Sequence, residues 1–158
     1  MREALKEAEK ALRKKEVPVG AVVVHQNKII GRGHNQTETL KDATAHAEIL
    51  AIGAASNFLN SWRLNDASIF VTVEPCIMCS GAVVLSRLDG LIFGTFDPKA
   101  GACGSLYNLL QDIRLNHQVE IISGVLEDQC KSILKAFFEK LRKSEGQTQE
   151  DEKKREKI

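Results

Sequence analysis

The sequence predicts an α/β domain with a mixed five-stranded sheet that is covered by helices on both faces. Segments with helical spacing alternate with β-branched segments, two of the β-branched segments form an early hairpin, and an amphipathic segment follows the last strand. The 158 residues, 43% of them apolar, are enough for one domain with one sizeable core. We therefore expect a single active site.

The first predicted helix covers residues 2–15. Leu5, Ala8 and Leu12 form an apolar stripe among charged residues at the spacing of an amphipathic helix. The segment at Pro18 ends this helix.

Two strands follow, and they form the predicted hairpin. Their sequences are VGAVVV and KIIGRG, and residues 25–27 between them are a polar break suited to a turn. The polar stretch NQTETLKDAT then predicts a loop, and residues 45–58 have a helix-forming composition with Thr44 as the expected N-cap.

The second half of the chain continues the alternation. SIFVTV predicts a third strand, and Pro75 after it is the expected first residue of a helix that runs to about Arg87. LIFGTF and VEIISG predict the fourth and fifth strands, with the loop DPKAGACGS after the fourth. The last predicted helix lies on the sheet through apolar residues at helical spacing, namely Cys130, Ile133, Leu134, Phe137, Phe138 and Leu141.

The domain is predicted to span residues 1–143, followed by a charged tail. Residues 144–158 contain one apolar residue, Ile158, and cannot bury enough surface to offset the entropy of ordering. The tail is therefore expected to be disordered.

Composition limits the functional classes. The formal net charge of +1 gives no electrostatic support for a polyanionic partner. No apolar run approaches the roughly 20 residues that span a bilayer, and the start MREALKEAEK lacks the apolar core of a secretory signal, so a cytoplasmic protein is expected. In that reducing compartment, clustered cysteines bind metal more often than they form disulfides.

The segments TAHAEI and PCIMC place one histidine, one glutamate and two cysteines at two helix starts. Cys76 and Cys79 are three residues apart and lie on one helical face, where the helix macrodipole stabilises thiolates. With His46 they make three ligands, the number typical of a catalytic zinc site that leaves one position for water. The alternative is a purely structural interpretation, in which the residues hold a structural zinc or are a core histidine beside buried thiols.

Glu48 is two residues from His46, so both surround the helix end if they lie in its first turn. Zinc lowers the pKa of bound water to about 7, and Glu48 is placed to receive a proton and return it. This chemistry suits attack on an amidine carbon of a nucleobase, and the His-x-Glu and Pro-Cys-x-x-Cys signature is known from nucleobase deaminases. The alternative is that Glu48 is a solvated helix carboxylate.

The chain resembles the cytidine deaminase superfamily and, within it, the bacterial enzymes that deaminate tRNA adenosine, over residues 1–143. HAE with PCxxC identifies only the superfamily. The segments that select the tRNA enzymes are EVPVGAVVV, GHN, DPKAGACGS and LNHQVEI. The resemblance implies a three-layer α/β/α sandwich, a homodimer with one zinc per subunit, and inosine formation at the wobble position of an arginine tRNA.

The resemblance also implies roles for individual residues. Val19 would pack on the flipped adenine, Asn35 would hydrogen-bond to its edge, and Asp97 and Lys99 would contact the anticodon loop. Two residues of the last helix would hold flanking nucleotides, namely Phe138 and Arg142. Without the resemblance, these are ordinary strand, turn and core residues.

Two departures from the family pattern concern the RNA contacts rather than the metal set. Cys103 stands where the family often has alanine, and the tail after Lys143 is longer than a minimal member needs. Cys103 and Cys130 are expected to be inert, packed thiols.

Two other functional hypotheses remain at this point. One is a deaminase of a free base or nucleoside such as guanine, cytosine or cytidine, against which the loop from Asp97 to Ser105 argues. The other is a non-enzymatic zinc module that binds RNA or a protein.

Overall fold

The computed structural model describes the backbone of residues 1–155 and the side chains of residues 1–143. The tail predicted to be disordered, residues 144–158, continues as the backbone of α5 to Arg155, and its last three residues lie outside the described residues. None of the described helices is both long and apolar enough to cross a bilayer. The helices and strands are α1 (Arg2–Arg13), β1 (Gly20–His25), β2 (Lys28–His34), α2 (Thr37–Leu40), α3 (Ala47–Leu59), β3 (Ala67–Val73), α4 (Ile77–Leu85), β4 (Gly90–Thr95), β5 (Glu120–Ile122) and α5 (Glu127–Arg155).

The five strands form one mixed sheet in the order β2-β1-β3-β4-β5. β1 pairs antiparallel with β2 and with β3, whereas β3 with β4 and β4 with β5 are parallel. The hairpin turn between β1 and β2 has left-handed residues at Gln26 and Asn27, with φ of 48° and 60°. A two-residue turn with this geometry matches the twist of the strands it joins. The predicted sheet and hairpin are confirmed.

Helices pack on both faces of the sheet. Gly20 and Gly33 lie at neighbouring register positions of β1 and β2 and therefore point to opposite faces. A Cβ on Gly20 would meet α1, and one on Gly33 would meet α3. Gly94 faces Cys130 of α5. α1 and α5 form one outer layer and α3 and α4 the other, so the structure is a three-layer α/β/α sandwich, as the resemblance implies.

The apolar stripe predicted for α1 is wrong in detail. Leu12 is 38% exposed and Leu5 is only partly buried. A Cβ on Gly20 would lie 2.1 Å from the carbonyl oxygen of Ala4, so helix and strand backbones are in close contact and only small side chains fit between them. The buried residues of α1 are Ala4, Glu7, Ala8 and Ala11.

Two predicted helix starts are also wrong by a few residues. Thr44 is not the N-cap of α3, because its amide and hydroxyl bond to Asp42 Oδ1 at 2.8 and 2.7 Å, and the cap is His46. Pro75 is not the first residue of α4, whose N-cap is Cys76. Two predicted metal ligands therefore occupy helix caps, at the positive ends of the helix dipoles.

Two glycines allow a matched test of this close packing. A Cβ on Gly33 would lie 2.1 Å from the carbonyl oxygen of Ala47, at the start of α3, whereas a Cβ on Gly53 within α3 would meet nothing within 4 Å. We expect Gly33→Ala to lower the free energy of unfolding by about 1–3 kcal/mol. Gly53→Ala should raise it by about 0.5–1 kcal/mol, since alanine is the better helix former. Urea denaturation measures both, and equal effects would contradict the packing.

Candidate active site

Three side chains converge where α3 and α4 begin. His46 caps α3, Cys76 caps α4, and Cys79 lies in the first turn of α4. His46 Nδ1 is 3.7 Å from Cys76 Sγ and 3.5 Å from Cys79 Sγ. All three ligand atoms lie within 4.8 Å of one another, so the structure brings together the three ligands that the sequence predicted.

This donor set fits a tetrahedral zinc ion. Zinc–sulfur bonds of about 2.3 Å and a zinc–nitrogen bond of about 2.0–2.1 Å place nitrogen and sulfur about 3.5–3.6 Å apart. The two measured nitrogen–sulfur distances, 3.5 and 3.7 Å, agree with that geometry. Among the described residues the cluster contains no fourth histidine, cysteine or carboxylate. Three protein ligands are the number found at catalytic rather than structural zinc sites.

The electrostatics of the cluster also favour a bound cation. The hydrogen bond from Cys79 lowers the pKa of Cys76 far below that of an ordinary thiol, and the same hydrogen bond raises the pKa of Cys79. The hydrogen bond with Cys76 raises the pKa of His46. A metal ion that binds at this cluster displaces the protons of its thiol ligands.

Glu48 lies beside this cluster in the first turn of α3 and is 4% exposed. Burial raises its pKa to about 7, and a hydrogen bond with the Cys79 thiol acts in the opposite direction. It is therefore not the solvated carboxylate of the alternative interpretation. A carboxyl group with this pKa accepts and releases protons near neutral pH.

His46 and Cys76 of the cluster line a cavity of about 230 Å³ together with Glu48. Val19 and Asn35 line the same cavity, so these two predicted base contacts lie next to the predicted chemistry. The other lining residues are Val17, Thr37, Val73, Glu74, Asp97 and Ala100.

Glu16 accepts a hydrogen bond from Asn35 and was not predicted as a site residue from the sequence. Its buried carboxylate accepts hydrogen bonds from the Asn35 amide at 3.3 Å, from the Thr37 hydroxyl at 3.4 Å, and from the backbone N–H groups of Glu38 and Thr39 at 3.2 and 2.6 Å. Burial opposes ionisation, but these hydrogen bonds outweigh it and lower the pKa of Glu16. The short helix α2 lies within the predicted loop. The two backbone N–H groups that bond to this carboxylate, those of Glu38 and Thr39, belong to α2.

A groove of about 510 Å³ adjoins the cavity and shares Val19 and Asp97 with it. It also contains the other three residues that the resemblance assigned to RNA, namely Lys99, Phe138 and Arg142. Phe138 is 38% exposed and is not a core residue.

Two lysines of α5, Lys131 and Lys135, line the groove as well. They were not predicted as site residues from the sequence, although they share a helical face with Phe138 and Arg142 at spacings of three and four residues. Glu74, which lines the cavity, was also missed. Its position directly before the PCxxC segment was the available signal.

The other cysteines do not join the cluster. Cys103 is buried, its Sγ lies 3.1 Å from Ser80 Oγ, and burial raises its pKa to about 12. Cys130 is fully buried in α5. Both are packed thiols, as the sequence predicted.

A model of the MafB19-like deaminase family matches residues 1–142. Over 143 residues the chain is 56% identical to a tRNA-specific adenosine deaminase of Bacillus subtilis (strain 168), a match that covers 90% of this chain and 89% of that protein. The chain belongs to the family of tRNA-specific adenosine deaminases.

Two further members of this deaminase family agree with the assignment. The Streptococcus pyogenes serotype M18 (strain MGAS8232) protein of the same description is 49% identical over 138 residues, which is 87% of each chain. The solved structure from a study of A-to-I editing by tRNA:A34 deaminases at the wobble position is 40% identical, with a TM-score of 0.82 over 85% of this chain and 97% of that one. The superfamily and the fold inferred from the sequence are confirmed.

Proposed function

We propose that this deaminase converts adenosine to inosine by hydrolysis at the wobble position of tRNA, with one zinc ion per subunit held by His46, Cys76 and Cys79. The observation that carries the proposal is the three-ligand cluster with buried Glu48 beside it, in a cavity that opens into a groove lined by cations. The activity of the curated relatives supports this substrate. The resemblance adds an arginine tRNA.

The reaction exchanges the exocyclic amine of adenosine for the oxygen of water, and releases ammonia. Zinc, when bound at these three ligands, supplies an activated water near neutral pH. Glu48 takes a proton on its carboxylate and delivers it to the ring nitrogen, then carries the proton that the departing amine requires.

The cavity holds the extruded base. Val19 provides an apolar surface for the base, and Asn35, whose amide is held by Glu16 and Thr37, provides a hydrogen-bonding group for its edge. Bases of an anticodon loop are already partly unstacked, which lowers the cost of extrusion.

The groove accommodates the nucleotides on either side of that base. Lys99, Lys131, Lys135 and Arg142 place four cationic side chains along it, against one acidic side chain, Asp97. Phosphates bind such a row of cations, and an exposed aromatic ring such as that of Phe138 stacks on bases. Local charge therefore provides the RNA attraction that the net charge of +1 did not indicate.

Removing two of these cations tests the groove. We expect the double variant Lys131→Ala and Lys135→Ala to raise KM for an anticodon stem-loop RNA and to leave kcat unchanged, because both lysines lie away from the metal cluster. The logarithm of the RNA association constant falls linearly with the logarithm of the salt concentration. This slope should become shallower by up to about 1.4, because two phosphates no longer have a cationic partner. Lys28→Ala, at the far end of the sheet, is the matched control. An unchanged slope would contradict the proposed RNA path.

The function itself is tested with purified, zinc-loaded protein and a tRNA pool, digested to nucleosides after incubation. Inosine in place of adenosine supports the proposal, and the absence of inosine despite bound zinc would contradict it. Activity on free guanine, cytosine or cytidine comparable to that on tRNA would favour the nucleobase alternative. The same assay on individual tRNAs identifies the edited one.

We also propose a cytoplasmic homodimer. Large apolar side chains lie exposed on the α3 and α4 layer and its neighbouring loops, namely Phe58, Trp62, Leu85, Leu106, Tyr107 and Ile113. Exposed large apolar side chains in such number on one layer support an interface with a second copy of the chain. Sedimentation of the purified protein should give twice the chain mass, and a monomer at micromolar concentration would contradict the dimer.

A further inference from the structure

Glu74 lies between the end of β3 and Cys76, and its carboxylate bonds to a loop far along the chain. The side chain is 3% exposed. Oε1 accepts the backbone N–H groups of Cys103 and Ser105, both at 2.9 Å, and Oε2 accepts that of Asp97 at 3.0 Å. The Ser105 hydroxyl also donates to Oε2. One buried carboxylate thus binds both ends of the loop at residues 97–105.

The same loop also contacts the metal-ligand segment directly. The N–H of Ala102 donates to the carbonyl of Pro75 at 2.8 Å, and Gly101 pairs with Cys76 in an isolated β-bridge. A Cβ on Gly101 would lie 2.3 Å from the Glu74 carboxylate, so only glycine fits at this contact. The loop therefore packs closely against the residues that carry the metal ligands.

Within the loop, the Asp97 side chain holds the turn that carries Lys99. Asp97 Oδ1 accepts the backbone N–H of Lys99 at 2.9 Å and that of Ala100 at 3.3 Å. Asp97 and Ala100 line the cavity, and Asp97 and Lys99 line the groove. The hydrogen bond between Asp97 N and Glu74 ties this turn to the segment that carries the metal ligands.

We infer that Glu74 is a positioning residue, which holds Asp97 and Lys99 in the geometry that binds the RNA around the target base. This inference rests on the proposed function. Three backbone N–H groups and one hydroxyl converge on this buried carboxylate, so it bonds to both ends of the loop at once.

Glutamine at this position affects one end of the loop only. Its oxygen still accepts the N–H groups of Cys103 and Ser105. Its NH₂ group, placed where Oε2 stands, faces the N–H of Asp97, donor against donor. Glu74→Gln should therefore release the Asp97 turn and leave the rest of the loop bonded.

The test compares the zinc-loaded wild type with Glu74→Gln on an anticodon stem-loop RNA. We expect KM to rise by roughly tenfold, with kcat within about threefold and zinc content unchanged, because one hydrogen bond that orients the RNA-binding turn is removed. Ser105→Ala is the matched control, since it removes the hydroxyl bond to the same carboxylate and keeps the three backbone bonds. Its KM should stay within about twofold of wild type.

A double-mutant cycle separates positioning from a general structural role. If Glu74 acts through the turn, Lys99→Ala should raise KM by a smaller factor in the Glu74→Gln variant than in the wild type. Additive effects, an unchanged KM, or a parallel loss of zinc and kcat would overturn the inference.

If the Glu74→Gln variant does not fold, amide hydrogen exchange of the wild-type protein tests the inference instead. In the wild type, the amides of Asp97, Cys103 and Ser105 should exchange at least about a hundredfold more slowly than in the unfolded chain. Rapid exchange at these amides would overturn the inference. Failure of the proposed function can be distinguished from failure of this inference, because in that case the wild type itself would bind zinc and form no inosine.

Discussion

Glu48→Gln is expected to retain zinc and to lose nearly all turnover. Glutamine preserves the volume of the buried side chain but neither accepts nor releases a proton in this range of pH, so both proposed proton transfers lose their carrier. General acid–base catalysis by one positioned group contributes about 10²–10⁴-fold, and kcat on tRNA should fall by that factor. Inosine formation under saturating RNA, together with elemental analysis for zinc, measures the two quantities separately.

The control for Glu48→Gln is RNA affinity. Because Glu48 lies beside the metal ligands and not in the groove, the Kd for an anticodon stem-loop should stay within about threefold of wild type. A variant that keeps most of its turnover would exclude Glu48 as the proton carrier. A variant that loses zinc would instead make Glu48 part of the metal site.

Cys79→Ala is expected to abolish zinc binding and activity together. Cys79 is fully buried, and its Sγ lies 3.5 Å from His46 Nδ1, so its loss leaves two ligands where a catalytic zinc needs three. Zinc at about 100 times its Kd stabilises a folded protein by about 2.7 kcal/mol, and this stabilisation should disappear in the variant. Thermal denaturation with and without added zinc measures it, and turnover should fall below detection.

Cys103→Ala is the matched control for Cys79→Ala. Cys103 is also a buried cysteine, yet it lies against Ser80 and outside the cluster, so its replacement removes a thiol of the same size without removing a ligand. We expect unchanged zinc stoichiometry and kcat within about twofold of wild type. If Cys103→Ala lost zinc as Cys79→Ala does, the ligand set would be wrong.

Local features of the fold were predictable because they depend on residues close together in the sequence. The β-branched runs, the polar break at residues 25–27 and the spacing of Cys76 and Cys79 each describe one element or one turn. The exact helix starts were not predictable, because Thr44 bonds to Asp42 instead of capping α3. A local sequence pattern cannot decide between two such competing hydrogen bonds.

Side chains whose partners lie far along the chain escaped the sequence analysis. Glu74 bonds to Ser105, 31 residues away, and Glu16 bonds to Thr39, 23 residues away. Residue type alone does not distinguish these two glutamates from the other glutamates of the chain. Their importance follows from burial together with several converging N–H donors, which only the packed structure provides.

By itself the sequence determined the α/β class and the family, and it predicted the three metal ligands and the neighbouring glutamate. These features depend on residue type and on spacing within one strand or one helical turn. Tertiary structure alone decided that the α3 and α4 caps meet, that α1 packs through alanines, and that four cations line one groove beside the cavity. The physical reason is that close packing of backbone on backbone, at Gly20 and Gly33, sets how the layers lie on one another.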